Sequence, residues 1–116
     1  MSDNRRFADR ERSFARILVS LEGRLGYVAD VSEGGFKALF TEAFSLELGK
    51  PFMVSMSFDE IGLALFEIPA LSRWCRIAGG CLEVGFEVQA TSASPEALIA
   101  FERIRAYYAE VESPST

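Results

Sequence analysis

The stretch WCRIAGGCLEVG, residues 74–85, constrains the fold more than any other. Two glycines between two alternating apolar runs read as a two-residue hairpin turn of the primed type, whose twist matches the flanking strands. The register then follows residue by residue: Ala78 opposite Cys81, Ile77 opposite Leu82, Arg76 opposite Glu83, Cys75 opposite Val84 and Trp74 opposite Gly85. Cys75, Ile77, Leu82, Val84 and Phe86 share an apolar face. The other face carries an Arg76–Glu83 ion pair and an indole lying over a glycine. Cys75 and Cys81 fall on different faces, so no disulfide is expected.

Extended patterns fill most of the remaining chain. FMVSMSF alternates strictly, with Phe52, Val54, Met56 and Phe58 inward and Met53, Ser55 and Ser57 outward. Ile17, Val19 and Leu21 alternate in the same way, EGRLG turns the chain, and YVADVS resumes the pattern to complete a first hairpin. FKALF at 36–40 reads as a third strand, LGKP and DEIG as turns, and LALFEI as extended. Pro69 suits a strand end or a bulge better than a central ladder position. After Val88 the period changes. Ser94 is a natural N-cap, Pro95 fits the first helical position and Glu96 complements the dipole. Ala97, Phe101, Ile104, Tyr108 and Val111 then form one stripe, predicting a helix over 95–112. That stripe docks on the barrel mouth or forms a heptad seam between copies. The expected fold class is mainly β: a small six-stranded antiparallel β-barrel with a C-terminal α-helix. A flexible arginine-rich arm over 1–12, a barrel with its helix over 13–112 and a disordered tail over 113–116 complete the expected organisation.

Length and composition restrict function. At 116 residues the chain has room for one core. With no histidine and two cysteines, it has no zinc-type ligand set and no Cys-His or Ser-His pair. Asp30 with Glu33 as acid and base is a weak enzymatic reading, and a non-enzyme without metal or cofactor is expected. A net charge of -5 argues against nucleic acid polymers and anionic membranes as partners. No apolar run approaches membrane-spanning length, and no hydrophobic leader region follows the arginines, so a cytoplasmic location is expected. Yet Arg5, Arg6, Arg10, Arg12, Arg16 and Arg24 are half of the twelve Lys and Arg, all within 24 residues. Arginine forks grip phosphates and guanine edges; the alternative is a solvated arm.

DVSEGGF, residues 30–36, follows an apolar run directly. On a strand, Asp30 and Ser32 point to the same face, and Gly34 and Gly35 are expected to let the backbone turn sharply and leave open space above them. A carboxylate suits the N1–H and N2–H2 donors of guanine, and a hydroxyl suits a phosphate or the base. The arm's arginines would supply the opposite half of a clamp.

These residues resemble a known family. Arg6-Phe-Ala-Asp-Arg10 looks like the RxxxR element, and Asp30-Val-Ser32-Glu-Gly-Gly35 like the [D/N]xSxxG element, of PilZ domains, bacterial receptors for cyclic di-GMP. LGKPFMVSMSF is similar to the family's mid-barrel segment, and RWCRIAGGCLEVGFEV to its last hairpin. DxSxxG alone arises by chance in about 3% of chains this long, whereas RxxxR is expected about once in so arginine-rich a chain; the order of the elements carries the weight. Arg12-Ser-Phe-Ala-Arg16 also fits the arginine spacing.

The resemblance implies that Arg6 and Arg10 bind guanine edges and phosphates, that Asp30 and Ser32 hold a base and a phosphate, and that Gly35 fixes the turn. Arg5 would contact phosphate in either register. Trp74 either stacks on a guanine or stabilises the sheet. Glu33, Lys37 and Arg73 are given no role. The implied function is binding: the arm orders over cyclic di-GMP, and the signal passes to a downstream protein from a monomer or weak homodimer. The alternative is an adaptor of the same fold that binds no nucleotide.

Overall fold

The structure, a computed structural model, describes residues 17–112, with side chains through residue 110. Six strands come first: β1 (Ile17–Leu21), β2 (Arg24–Val31), β3 (Gly35–Phe40), β4 (Pro51–Phe58), β5 (Leu63–Ala78) and β6 (Cys81–Val88). Among the described residues one α-helix, α1 (Pro95–Glu112), follows, with short 3-10 turns at Asp59–Ile61 and Ala90–Ser92. Each neighbouring pair is antiparallel, in the order β1-β2-β3-β6-β5-β4, and β4 pairs back onto β1 to close a barrel. Closure leaves no edge strand in this sheet.

The register expected from the double glycine is found at every pair from Ala78–Cys81 to Trp74–Gly85. Gly79 and Gly80 take positive φ values of 60° and 84°, as a primed turn requires. The first hairpin turns in the same manner, with Glu22 at φ 51° and Gly23 at 83°. Both cysteines are free.

Two expectations need correction. Ile77, placed on the buried face, is 69% exposed, because the β5–β6 hairpin runs on past the core and residues 76–80 stand in solvent. Pro69 is not at a strand end but inside the 16-residue β5, opposite Met53. The N–H and C=O of one extended residue point the same way, and the Pro69 carbonyl accepts the Gln89 N–H beyond the end of β6. Its missing donor therefore faces away from β4 and costs the β4–β5 ladder nothing. LALFEI and RWCRIA are thus one strand.

The alternation explains the core. Ile17, Val19 and Leu21 of β1 and Val54, Met56 and Phe58 of β4 are all buried, while Phe52 is half-buried at the start of β4. The buried polar side chain of Ser72 is satisfied: its Oγ donates to the Glu47 carbonyl at 2.7 Å, tying the 41–50 connection to the barrel.

Helix α1 begins as expected, with Ser94 Oγ accepting the Ala97 N–H at 3.0 Å. Ala97, Phe101, Ile104 and Tyr108 are buried, so the stripe is spent on the barrel. Phe101 meets Phe36 at 6.0 Å and Tyr107 stands edge-on to Phe58 at 4.8 Å. Tyr108 Oη donates to the Ala29 carbonyl at 3.3 Å. The helix therefore plugs the barrel end where β2 stops and β3 starts. Among the described residues no helix is long and apolar enough to cross a membrane.

Candidate functional site

The site is built by two bulges. Between β2 and β3 the register shifts after Val28–Ala38, so that Asp30 faces Lys37 and Ala29 is the extra residue. Between β5 and β6 it shifts again between Ser72 and Trp74, leaving Arg73 extra. Regular alternation sends consecutive residues to opposite faces; the second bulge lets Arg73 and Trp74 line the same cleft.

Across four strands the outward positions form one row: Asp30 on β2, Lys37 on β3, Gly85 on β6 and Trp74 on β5. With Ser32 and Arg73 they line an open cleft of about 270 Å³, floored by Phe36 and Phe86, whose rings stack at 5.1 Å. A Cβ at Gly85 would run into the indole of Trp74, so the ring lies directly on that glycine. Trp74 is nonetheless 42% exposed, and offers a flat apolar surface.

Asp30 and Ser32 are brought together as expected, and each is also part of its turn. Asp30 Oδ1 accepts the Val31 N–H at 2.9 Å. Ser32 donates to the Gly35 carbonyl twice, from its N–H at 2.9 Å and from Oγ at 3.3 Å. The expected reason for the glycines is corrected. Neither Gly34 nor Gly35 takes a positive φ. Gly35 is buried against β6, opposite Glu87, and a Cβ there would collide with the Phe86 carbonyl oxygen. It permits close approach of two backbones rather than a sharp turn.

Three cations surround the indole, each with a carboxylate. Lys37 Nζ lies 3.5 Å from Glu83 Oε2, Arg76 Nε lies 2.5 Å from Glu83 Oε1, and Arg73 pairs with Glu87 at 3.4 Å. Burial by itself would raise the Glu83 pKa. The Arg76 hydrogen bond and the charges of Lys37 and Arg76 together outweigh it, and hold this carboxyl below the ordinary glutamate range.

Sequence reasoning missed Lys37 and Arg73 as cleft residues. Lys37 was legible: a two-residue Glu33–Gly34 connection pairs Ser32 with Gly35 and so Asp30 with Lys37. Arg73 was not, because its placement depends on the bulge. Arg5, Arg6 and Arg10, with the alternative pair Arg12 and Arg16, lie outside the described residues. The chain enters β1 near the site all the same: Leu18 pairs with Tyr27, which sets Ile17 level with Val28, two residues before Asp30.

A second cleft of about 260 Å³ opens at the other end of β2, where the Arg24 guanidinium lies over the Phe44 ring at 4.3 Å. Compared with known proteins, the chain matches no family model and no curated protein.

Proposed function

We propose that this chain is a PilZ-type receptor for cyclic di-GMP, acting by binding rather than catalysis. One observation carries the reading: the carboxylate of Asp30, the hydroxyl of Ser32, two cations and an exposed indole open onto one cleft. A guanine stacked on Trp74 would gain about 1–3 kcal/mol from the ring contact. Its donor edge would then meet Asp30. The phosphates require further cations, and the arm supplies them in this reading. Arg10 lies seven positions before Ile17, a reach of at most about 25 Å when extended, from a starting point level with Val28. Closing such an arm costs conformational freedom, which bidentate arginine contacts offset by about 1–3 kcal/mol each. The ordered arm and the cleft rim would then be the surface that a downstream protein reads.

An adaptor that binds no nucleotide has one observation in its favour. The hydrogen bonds of Asp30 and Ser32 within their own turn give both residues a structural use. Calorimetric titration with cyclic di-GMP, alongside GTP and cyclic GMP, separates the two. Arg10→Ala and Asp30→Ala are each expected to abolish the binding heat and leave thermal unfolding nearly unchanged. Parent-like binding by both variants would refute the site.

A further inference from the structure

Lys37 and Asp30 stand directly opposite each other on β3 and β2, and both line the cleft. Facing residues on an antiparallel pair hold their Cβ atoms about 4.5–5.5 Å apart. The wall therefore offers a donor and an acceptor side by side. Guanine's lactam edge carries the complementary order, the acceptor O6 next to the donor N1–H. Adenine carries the reverse, a donor amino group next to the acceptor N1. A site built around such a pair rejects the reversed pattern, because both of its groups are left facing like partners.

An ammonium facing a carboxylate at this range would ordinarily close on it, and the two groups would satisfy each other. Glu83 opposes that collapse. It lies on β6, the neighbour of β3 on the side away from β2, and draws the Lys37 ammonium toward the indole plate. Arg76 holds the other Glu83 oxygen from β5, so the carboxylate does not follow the lysine back. Only 11% of the Glu83 side chain is exposed, which limits the access of water to its carboxylate, although Arg76 itself is 68% exposed. Arg73 and Glu87, the remaining charged pair beside Trp74, are matched to each other.

We infer that Lys37, positioned by Glu83, is the residue that makes this cleft select guanine over adenine. The inference rests on the cyclic di-GMP reading and deepens it. Its test is titration of the full chain with cyclic di-GMP, cyclic di-AMP and the hypoxanthine analogue cyclic di-IMP, which keeps O6 and N1–H but lacks the 2-amino group. The parent should prefer both lactam ligands to cyclic di-AMP. Lys37→Met, which keeps the aliphatic stem, should weaken both lactam ligands by roughly ten- to hundred-fold and close most of the gap to cyclic di-AMP. Glu83→Gln should narrow the same ratio although the lysine is intact. Should Glu83→Gln unfold, Arg76→Met, which loosens Glu83 from the other side, should narrow the ratio instead. Equal weakening of all three ligands by Lys37→Met would make Lys37 a phosphate contact and overturn the inference alone, as would an unchanged ratio. Failure of the parent to bind any of the three would overturn the receptor reading with it.

Discussion

At the scale of single residues, two neighbouring glycines have different physical status. Gly34 has open space around its missing Cβ, and Gly35 has the Phe86 carbonyl oxygen in the way. Gly34→Ala should therefore change stability by no more than about 0.5 kcal/mol, whereas Gly35→Ala should cost about 1–3 kcal/mol through forced separation of β3 from β6. Urea unfolding of the two variants side by side measures the contrast. The position of Gly35 was legible in DVSEGGF but its reason was not, because the colliding atom belongs to a strand some fifty residues later in the chain. Gly85 was legible in both respects, since the hairpin register alone sets it beneath Trp74. That tryptophan is the only one in the chain, so its fluorescence reports on the cleft directly. Gly85→Ala should lift the indole off its bed, shift emission to longer wavelength and, on the proposed receptor reading, weaken cyclic di-GMP binding. An unshifted spectrum would show that the ring does not rest on that glycine.

Among the elements, the β3–β6–β5 wall is held on its outer side by charge and α1 by apolar burial, and the two respond to different perturbations. Glu83 is held below the ordinary glutamate value of 4.5, so its ionised form is favoured more in the folded than in the unfolded chain. The sign follows from proton linkage: the contribution is complete above that value and is lost as pH falls through the folded-state pKa. The stability difference between the parent and Glu83→Gln should thus be constant near neutrality and shrink on acidification below about pH 4.5. Urea denaturation across that range checks it, and a gap that widens in acid would contradict the assignment. Helix α1 should be insensitive to this change and sensitive to its stripe. Ile104 is fully buried at the barrel end, and Ile104→Ala should cost about 2–5 kcal/mol, against about 1 kcal/mol for removing the Ser94 cap. The helix was legible to the residue because cap, proline and periodicity agree. The length of β5 was not: a proline in a sequence does not disclose which side its missing N–H faces.

For the whole molecule, what the sequence withholds is closure. Hairpins such as β1–β2 and β5–β6 are local and follow from their turns, but the β3–β6 and β1–β4 pairings join distant segments that no turn signal connects. The candidate site depends on the first of these, since Trp74 and Arg73 reach Asp30 only across β6 and β3. Closure also bears on self-association. A small chain of strands and one helix associates most readily through an open sheet edge or an unspent helix stripe. Here the barrel has no edge among the described strands, and Ala97, Phe101, Ile104 and Tyr108 are consumed by its mouth. The exposed face of α1 carries Glu96, Glu102, Arg103 and Glu110 around a single large apolar side chain among the described residues, Ile99 at 63% exposure, which is too little for a heptad seam. The large apolar side chains left in solvent on the barrel's outer wall include Leu18 and Leu65, 53% and 70% exposed, on strands separated by β4. Light scattering over a rising concentration series should accordingly hold at the monomer mass of 12.8 kDa, with and without cyclic di-GMP. A mass that doubles with concentration and returns to the monomer value in Leu65→Ser would instead locate self-association on that outer wall, leaving the helix and the cleft free for a different protein.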